Sequence, residues 1–464
     1  MQFRCEKLSI LRSLSKKSSI FAPKIDEKIV KTTQKSTKNM DLQKILFNQR
    51  AEIESLDTSK LCTRVEESQI DLESKLAQIV IGVRRSGKST LCQKVLLQSK
   101  VQFAYVNFDD ENLVELKKSD LDALLENLYR VYGEFTHLFL DEIQNIEGWH
   151  LFVNRLLRLG IRLIITGSNA NLLSGELATH LTGRYNQIEL YPFSFLEYCT
   201  INNIKTVGKT TKDEALLLRA LDKYLFVGGF PEIIGSDNNR KYTLSLLNAI
   251  INKDICQRYK VRHKQTLSDI ANGLLDLFCQ EVSYAQIAKT YQLNSIHTAK
   301  NYFSYLVNAY LLCSLPKYTF KSRERQQMRK TYAIDPAFIT NHEVVLQPDN
   351  YGWRLENVIA IELLRRIDST YQQLFYLRQN KSYEVDFVVV EQSKIKELIQ
   401  VTYDFISPTT KLYNREVGGL VKGAKQTGCR QLTLIMMNGE SRDIEVEGYT
   451  IKCIRAIDWL LNRE

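Results

Sequence analysis

The chain reads as an α/β protein: a phosphate-loop parallel sheet, a helical module, and then a second α/β unit. Three observations predict this. The first is Gln78-Ile-Val-Ile-Gly-Val-Arg-Arg-Ser-Gly-Lys-Ser-Thr90, an apolar strand that runs into G-x-x-x-x-G-K-S and then a helix. The second is Phe135-Thr-His-Leu-Phe-Leu-Asp-Glu142, a buried-looking strand tipped by paired acids. The third is a change of character at Asp335, beyond which short apolar strands alternate with amphipathic helices.

The phosphate loop carries the sharpest chemistry. Gly82 and Gly87 let the backbone curl with its N–H groups turned inward, toward the positive end of the following helix. Gly82, Val83, Arg84, Arg85, Ser86, Gly87, Lys88, Ser89 and Thr90 then form a cradle for a nucleoside triphosphate, with ATP and Mg2+ the expected pair. Lys88 is suited to the β and γ phosphates and the Ser89 hydroxyl to Mg2+. About fifty residues on, Asp141 is placed to hold the magnesium shell and Glu142 to orient or deprotonate water. Gly160-Ile-Arg-Leu-Ile-Ile-Thr-Gly-Ser-Asn169 is a third apolar strand. Its Ser168 and Asn169 either sense the γ-phosphate or cap the next turn. Arg184, in Leu-Thr-Gly-Arg184, either neutralises charge on the transferred phosphoryl group or makes a surface ion pair, in cis or in trans.

Bulk composition bounds the rest. At 464 residues, 44% hydrophobic and with seven prolines, the chain should fold almost throughout into about three domains. No apolar run reaches the twenty or so residues a membrane span needs, so no integral membrane association is expected. The start lacks a signal peptide's apolar region. Nine cysteines without a C-x-x-C pair read as reduced thiols of a cytoplasmic protein, Cys92, Cys279 and Cys313 lying in apolar surroundings. Of the net charge of +10, residues 1–39 contribute +7 (ten Lys/Arg against three acids), which leaves +3 for the body. Positive charge is therefore a property of the tail, and Met40 is a candidate start.

In order, residues 1–39 are expected to be a disordered basic tail, 40–74 a helical segment, 75–198 the phosphate-loop core and 199–265 a helical, lid-like region broken at Gly228-Gly229. Asp110 reads as a turn residue, with Asp109 left open. Residues 266–334 have the rhythm of helix-turn-helix followed by a wing. There Thr298, Lys300 and Asn301 face a groove, and Lys317, Lys321, Arg323 and Arg325 meet phosphates, if duplex DNA is the partner. The alternative is a module that packs on protein. Residues 335–464 form the second α/β unit, with strands over 374–378, 383–390, 395–402 and 432–436 and a closing helix near 456–461.

These motifs together resemble a group of prokaryotic ATPases with an AAA-like core, a winged-helix linker and a C-terminal DUF4143 domain similar to restriction endonucleases. The resemblance rests on residues 82–89, Leu-Asp-Glu-Ile-Gln (140–144), Ile-Thr-Gly-Ser-Asn-Ala (165–170), Leu-Thr-Gly-Arg (181–184), Pro-Phe-Ser-Phe-Leu-Glu (192–197) and Glu-Val-Asp-Phe (384–387). It implies a five-stranded parallel sheet and the roles given above for Lys88, Ser89, Asp141, Glu142, Ser168 and Asn169. In the nuclease-like part Asp386, Glu356 and Glu384 supply acids, but Gln400 and Thr402 stand where Glu-x-Lys is expected, so a catalytically degenerate scaffold follows. The expected function is ATP hydrolysis that moves attached partner-binding modules. Two alternatives are an ATP-regulated DNA-binding or DNA-cleaving protein, and an interaction module with negligible turnover. A protein partner and a homo-oligomer are candidate associations.

Overall fold

The computed structural model describes residues 27–173, 181, 183–207, 210–236, 238–342, 350–379, 382–404 and 411–462. Most of the tail expected over 1–39 lies outside these residues. Its last part does not: the first helix runs Glu27–Glu54, without Gly or Pro to break it. It ends well before residue 74, and two 3-10 turns (Thr58–Lys60 and Val65–Gln69) complete that segment.

Five strands build the first sheet: β1 (Ala77–Ile81), β2 (Phe103–Asn107), β3 (His137–Asp141), β4 (Arg162–Gly167) and β5 (Tyr185–Glu189). Their order is β2-β3-β4-β1-β5 and every pairing is parallel. Strands covered on both faces need apolar residues at successive positions, which is why β1, β3 and β4 read as near-continuous apolar runs. On one face Val80, Phe139 and Ile164 meet Leu91, Cys92 and Leu96 of the helix Lys88–Gln98. The other face, with Ile79, Leu140 and Ile165, joins the main core. The register sets Asn107 beside Asp141 and Ile81 beside Gly167, so the carboxyl ends of the strands form one edge.

A three-stranded antiparallel sheet, β6 (Glu281–Ser283), β7 (Leu312–Pro316) and β8 (Met328–Ala333), has the order β6-β8-β7. It follows the helix Lys264–Asp276 and is interleaved with Tyr284–Thr290 and Ile296–Asn308. The third sheet has six strands: β9 (Gln372–Gln379), β10 (Tyr383–Glu391), β11 (Lys394–Thr402), β12 (Leu432–Met436), β13 (Arg442–Val446) and β14 (Tyr449–Arg455). It is mixed, in the order β13-β14-β12-β11-β10-β9. Side-chain alternation, broken by a register irregularity between Val385 and Val388, sends Val385, Val388 and Leu398 toward the helix Lys411–Thr427, and Phe387, Val389 and Ile399 toward Tyr351–Arg366. One continuous core runs from Leu42 through all three sheets to Leu461.

The glycine corner at 228–229 closes on the carboxyl-end edge of the first sheet. The Phe193 N–H donates to the Gly229 carbonyl at 2.7 Å, and a Cβ on Gly229 would stand 2.1 Å from the Phe193 oxygen. The Gly229 N–H in turn donates to Asp335 at 2.7 Å. Burial pushes that carboxyl up to about 7, against the two backbone N–H donors from Gly229 and Ala337. All eight described cysteines are free thiols. No helix among the described residues is long and apolar enough to cross a membrane.

Candidate functional site

The phosphate loop leaves β1 at Ile81 and enters its helix at Lys88. Gly82 has φ +153° where a Cβ would lie 2.1 Å from the Leu190 carbonyl oxygen, so only glycine permits the approach. Gly87 has φ +95° and open space where its Cβ would be. Within the loop Arg85 also takes a left-handed backbone, at φ +67°. Lys88 is buried, and its Nζ donates to the carbonyls of Gly82 and Val83 at 3.1 and 2.9 Å. Burial holds the ammonium below its ordinary value, opposed by the nearby Glu142 and Asp141. The Glu142 carboxylate is 3.9 Å away.

Asp141 ends β3 and is gripped on all sides. It accepts from Ser89 Oγ at 2.8 Å, from the Tyr105 hydroxyl at 3.2 Å and from Thr166 Oγ1. Burial, reinforced by Glu142, pushes its carboxyl up to about 6. Glu142 follows in the left-handed region, at φ +53°, with its N–H on Thr166 Oγ1 at 3.0 Å. Gln144 Nε2 donates to the Glu142 carboxylate and lies 3.5 Å from Ser168 Oγ. Lys88, Ser89, Asp141 and Glu142 thus line one cavity of about 510 Å³. Its far wall includes Leu61, Cys62, Phe193 and Pro231.

This donor set fits magnesium held beside phosphates. A hydroxyl and one carboxylate are what that ion takes from protein when substrate oxygens and water supply the rest. The described residues hold no cluster of three or more His, Cys, Asp or Glu side chains placed to cage a metal alone. Buried Ser86 Oγ has no partner among the described residues, a further polar atom in the loop.

Other expected positions divide. Ser168 is buried at the end of β4, within reach of both Gln144 and Asp254. Asn169 starts the next 3-10 turn through its carbonyl, and its Nδ2 donates to the Tyr259 hydroxyl at 3.4 Å, a contact outside both expectations. Asp110 caps the turn after β2, and Asp109 pairs with Arg84 at 3.5 Å. Arg84 also binds Asp254 at 3.1 Å, and Arg85 binds Glu232 at 2.7 Å. Arg184 is not brought to the site. The register pairs Ala77 with Tyr185, so exposed Arg184 precedes the amino end of β5, a strand length of ~13 Å from Ile81.

Sequence reasoning missed four members of this neighbourhood. Thr166 and Gln144 aim Asp141 and Glu142. Buried Arg64 donates to the Ser86 carbonyl at 3.3 Å, to the Tyr191 carbonyl at 2.8 Å and to Glu197 at 2.7 Å. Asp254 lies in the stretch read only as a helical, lid-like region. Its signal was an acid among Ile250, Ile251, Ile255 and Cys256.

A larger cavity, about 880 Å³, opens between the three-stranded and six-stranded sheets. There Lys330 of β8 reaches Glu356 and Glu384 at 2.7 Å and Asp386 at 2.9 Å. Burial, together with Asp386, pushes Glu356 up to about 8. Asp386 accepts from the Val401 N–H at 3.1 Å, and Gln400 bridges the Asp386 N–H to Glu416. Thr402 is buried beside them.

Comparison with known proteins agrees with the first sheet and corrects the C-terminal expectation. Residues 74–199 match the family model of an AAA domain, which gives the core an AAA-type, nucleotide-binding P-loop fold. Residues 218–347 match a domain of unknown function, DUF8612. The DUF4143, restriction-endonuclease-like assignment is therefore overturned. Its C-terminal part rested on Glu-Val-Asp-Phe (384–387), and in the fold the Lys330 ammonium of another sheet occupies the space between the Asp386 and Glu356 carboxylates. Among solved structures the chain is similar to the Walker-type ATPase of Pyrococcus abyssi. That match is 15% identical, with TM-score 0.39, over 61% of this chain and 96% of that one. The Thermotoga maritima RuvB Holliday junction branch migration motor matches at 18% identity and TM-score 0.28, over 54% and 85%. An uncharacterized Haemophilus influenzae protein is 30% identical over 84% of this chain and 95% of its own. The uncharacterized protein MJ1544 of Methanocaldococcus jannaschii is 33% identical over 82% of this chain and 86% of its own. With its AAA domain in place and such a relative matched over most of both lengths, the chain belongs to the family of MJ1544.

Proposed function

We propose that the chain is a magnesium-dependent ATPase whose turnover moves the helical and three-stranded modules attached to its first sheet. The observation that carries this reading is the convergence of Lys88, Ser89, Asp141 and Glu142 on one cavity at the carboxyl ends of β1 and β3. Lys88 exchanges the Gly82 and Val83 carbonyls for phosphate oxygens when substrate enters. Ser89 and Asp141, already joined, offer the hydroxyl and carboxylate for the metal. Magnesium, when bound, offsets negative charge on the transferring phosphoryl group. Glu142, steadied by Gln144, orients water and accepts its proton. Leu61, Cys62, Phe193 and Pro231 supply an apolar wall for the base. Arg184 acts only from a neighbouring subunit, if it acts in catalysis at all.

Labelled-ATP filter binding beside phosphate release tests the assignment. Lys88→Ala should lose both. Glu142→Gln should bind and retain ATP while turnover falls by about 100-fold or more. Ordinary turnover in Glu142→Gln would move the water-positioning role elsewhere.

A second reading concerns the partner. Residues 317–329 carry five Lys/Arg against one Glu, and Phe320 among them is 90% exposed. A basic loop with an exposed ring suits duplex DNA, and steep loss of duplex binding with salt is the signature to measure.

A further inference from the structure

One buried acid has no part in the phosphate chemistry and yet touches it from two sides. Asp254 is 4% exposed and lies in a π-helical segment, Ile250–Gln257, a conformation rare outside functional sites. Its Oδ2 accepts from Arg84 Nε at 3.1 Å and its Oδ1 from Ser168 Oγ at 3.5 Å. Arg84 is a phosphate-loop residue; Ser168 ends β4. With Lys88 turned onto its own loop, both cations are held by acceptors of the chain itself. A polyanion entering the cradle must compete for them, and its charge repels Asp254.

The same segment leads away from the site. Just past it, Tyr259 stacks on Tyr305 with ring centroids 3.9 Å apart and planes 11° from parallel. Tyr305 belongs to the helix Ile296–Asn308, whose neighbouring Tyr302 is buried. Asn169 adds a second tie from β4 to the Tyr259 hydroxyl.

We propose that Asp254 is a phosphate-displaceable counter-ion of Arg84: triphosphate takes the arginine, and the released carboxylate lets the π-helix shift against the helix Ile296–Asn308. This rests on the nucleotide reading of the cavity above. Asp254 is a positioning residue, and the Arg84–Asp254 pair and the loaded cradle are competing states of one loop. The pair therefore taxes nucleotide affinity in the resting protein.

The test uses the full chain with Mg-ATP, calorimetry for affinity and hydrogen exchange for residues 250–259 and 296–308. In the unmodified protein, ATP should raise exchange in both segments. Asp254→Asn keeps size and removes the charge. It should bind ATP about three- to tenfold more tightly and show the raised exchange before nucleotide is added. A merely structural role predicts the opposite sign, because a damaged site binds less. Tyr305→Ala leaves Asp254 in place; it should keep ATP affinity within about twofold and lose the response at 296–308. Weaker ATP binding by Asp254→Asn, or a response as large as in the unmodified chain, overturns the proposal. So does a 296–308 response that survives Tyr305→Ala. If the unmodified chain binds ATP and residues 250–259 do not respond, the relay alone falls. If it binds no ATP, the nucleotide reading falls with it.

Discussion

Glu142 stands at φ +53°, in backbone that a glutamate adopts only when its surroundings fix it. Thr166 holds its N–H and Gln144 its carboxylate, so the side chain is aimed before any water arrives. Gln144 is not among the residues that line the cavity. Gln144→Ala should therefore lower kcat by about 10- to 100-fold and leave KM for ATP nearly unchanged, as phosphate-release kinetics will show. A change confined to KM would make Gln144 a binding residue. That Lys88, Ser89, Asp141 and Glu142 line one cavity was legible because the phosphate-loop pattern and the acid-tipped strand fix their places along the chain. Gln144, Thr166 and Asp254 were not, because each acts through a partner that only the fold brings near. For Arg184 the residue type suited the chemistry, but strand register sets it at the opposite end of its own sheet, which removes the cis option among those the sequence left open.

At the scale of elements, β1, β3 and β4 were plain because strands buried on both faces cannot alternate. β13 and β14 went unread. β13 is largely exposed and β14 interrupts its buried positions with exposed Thr450 and Lys452, so neither makes an apolar run. The helix Ile296–Asn308 looks two ways. Its Tyr302 and Tyr305 side packs inward, while Ile296, His297 and Lys300 stay exposed. One face of this helix thus packs on the protein and the other is exposed, a division that sequence periodicity alone did not draw. If duplex DNA is the partner, Lys300, Arg323 and Arg325 reversed to Glu should weaken binding across all sequences alike and flatten the salt slope. Gel-shift titrations on a chain starting at Met40 separate this from the basic tail. Binding that survives the reversals would leave the module a protein-packing one.

Across the whole molecule, a buried ionic chain ties the last sheet's helix to the phosphate loop. Arg365 meets Glu66 at 3.2 Å and the Pro192 carbonyl at 2.8 Å; Glu66 lies 3.7 Å from Arg64, which holds the Ser86 carbonyl. Arg365→Met leaves Glu66 short of a cation, at a cost of about 3 kcal/mol. A lower thermal midpoint and a severalfold rise in KM for ATP are expected, and adding Glu66→Gln should restore part of both. Equal effects of the single and double variants would show that the chain is not coupled. This long-range tie was invisible in sequence because its members lie some 300 positions apart, 299 between Glu66 and Arg365. It also bears on where the polypeptide can be divided. The AAA match stops at residue 199, but Phe195 and Tyr198 pack against Tyr224 with tilted rings, and Phe193 bonds to Gly229. A fragment cut at that boundary would bare those rings and loosen the strand that Gly82 leans on. The smallest piece that folds is thus larger than the piece that sequence similarity outlines, and dissecting the chain by domains will report on damaged cores before it reports on function.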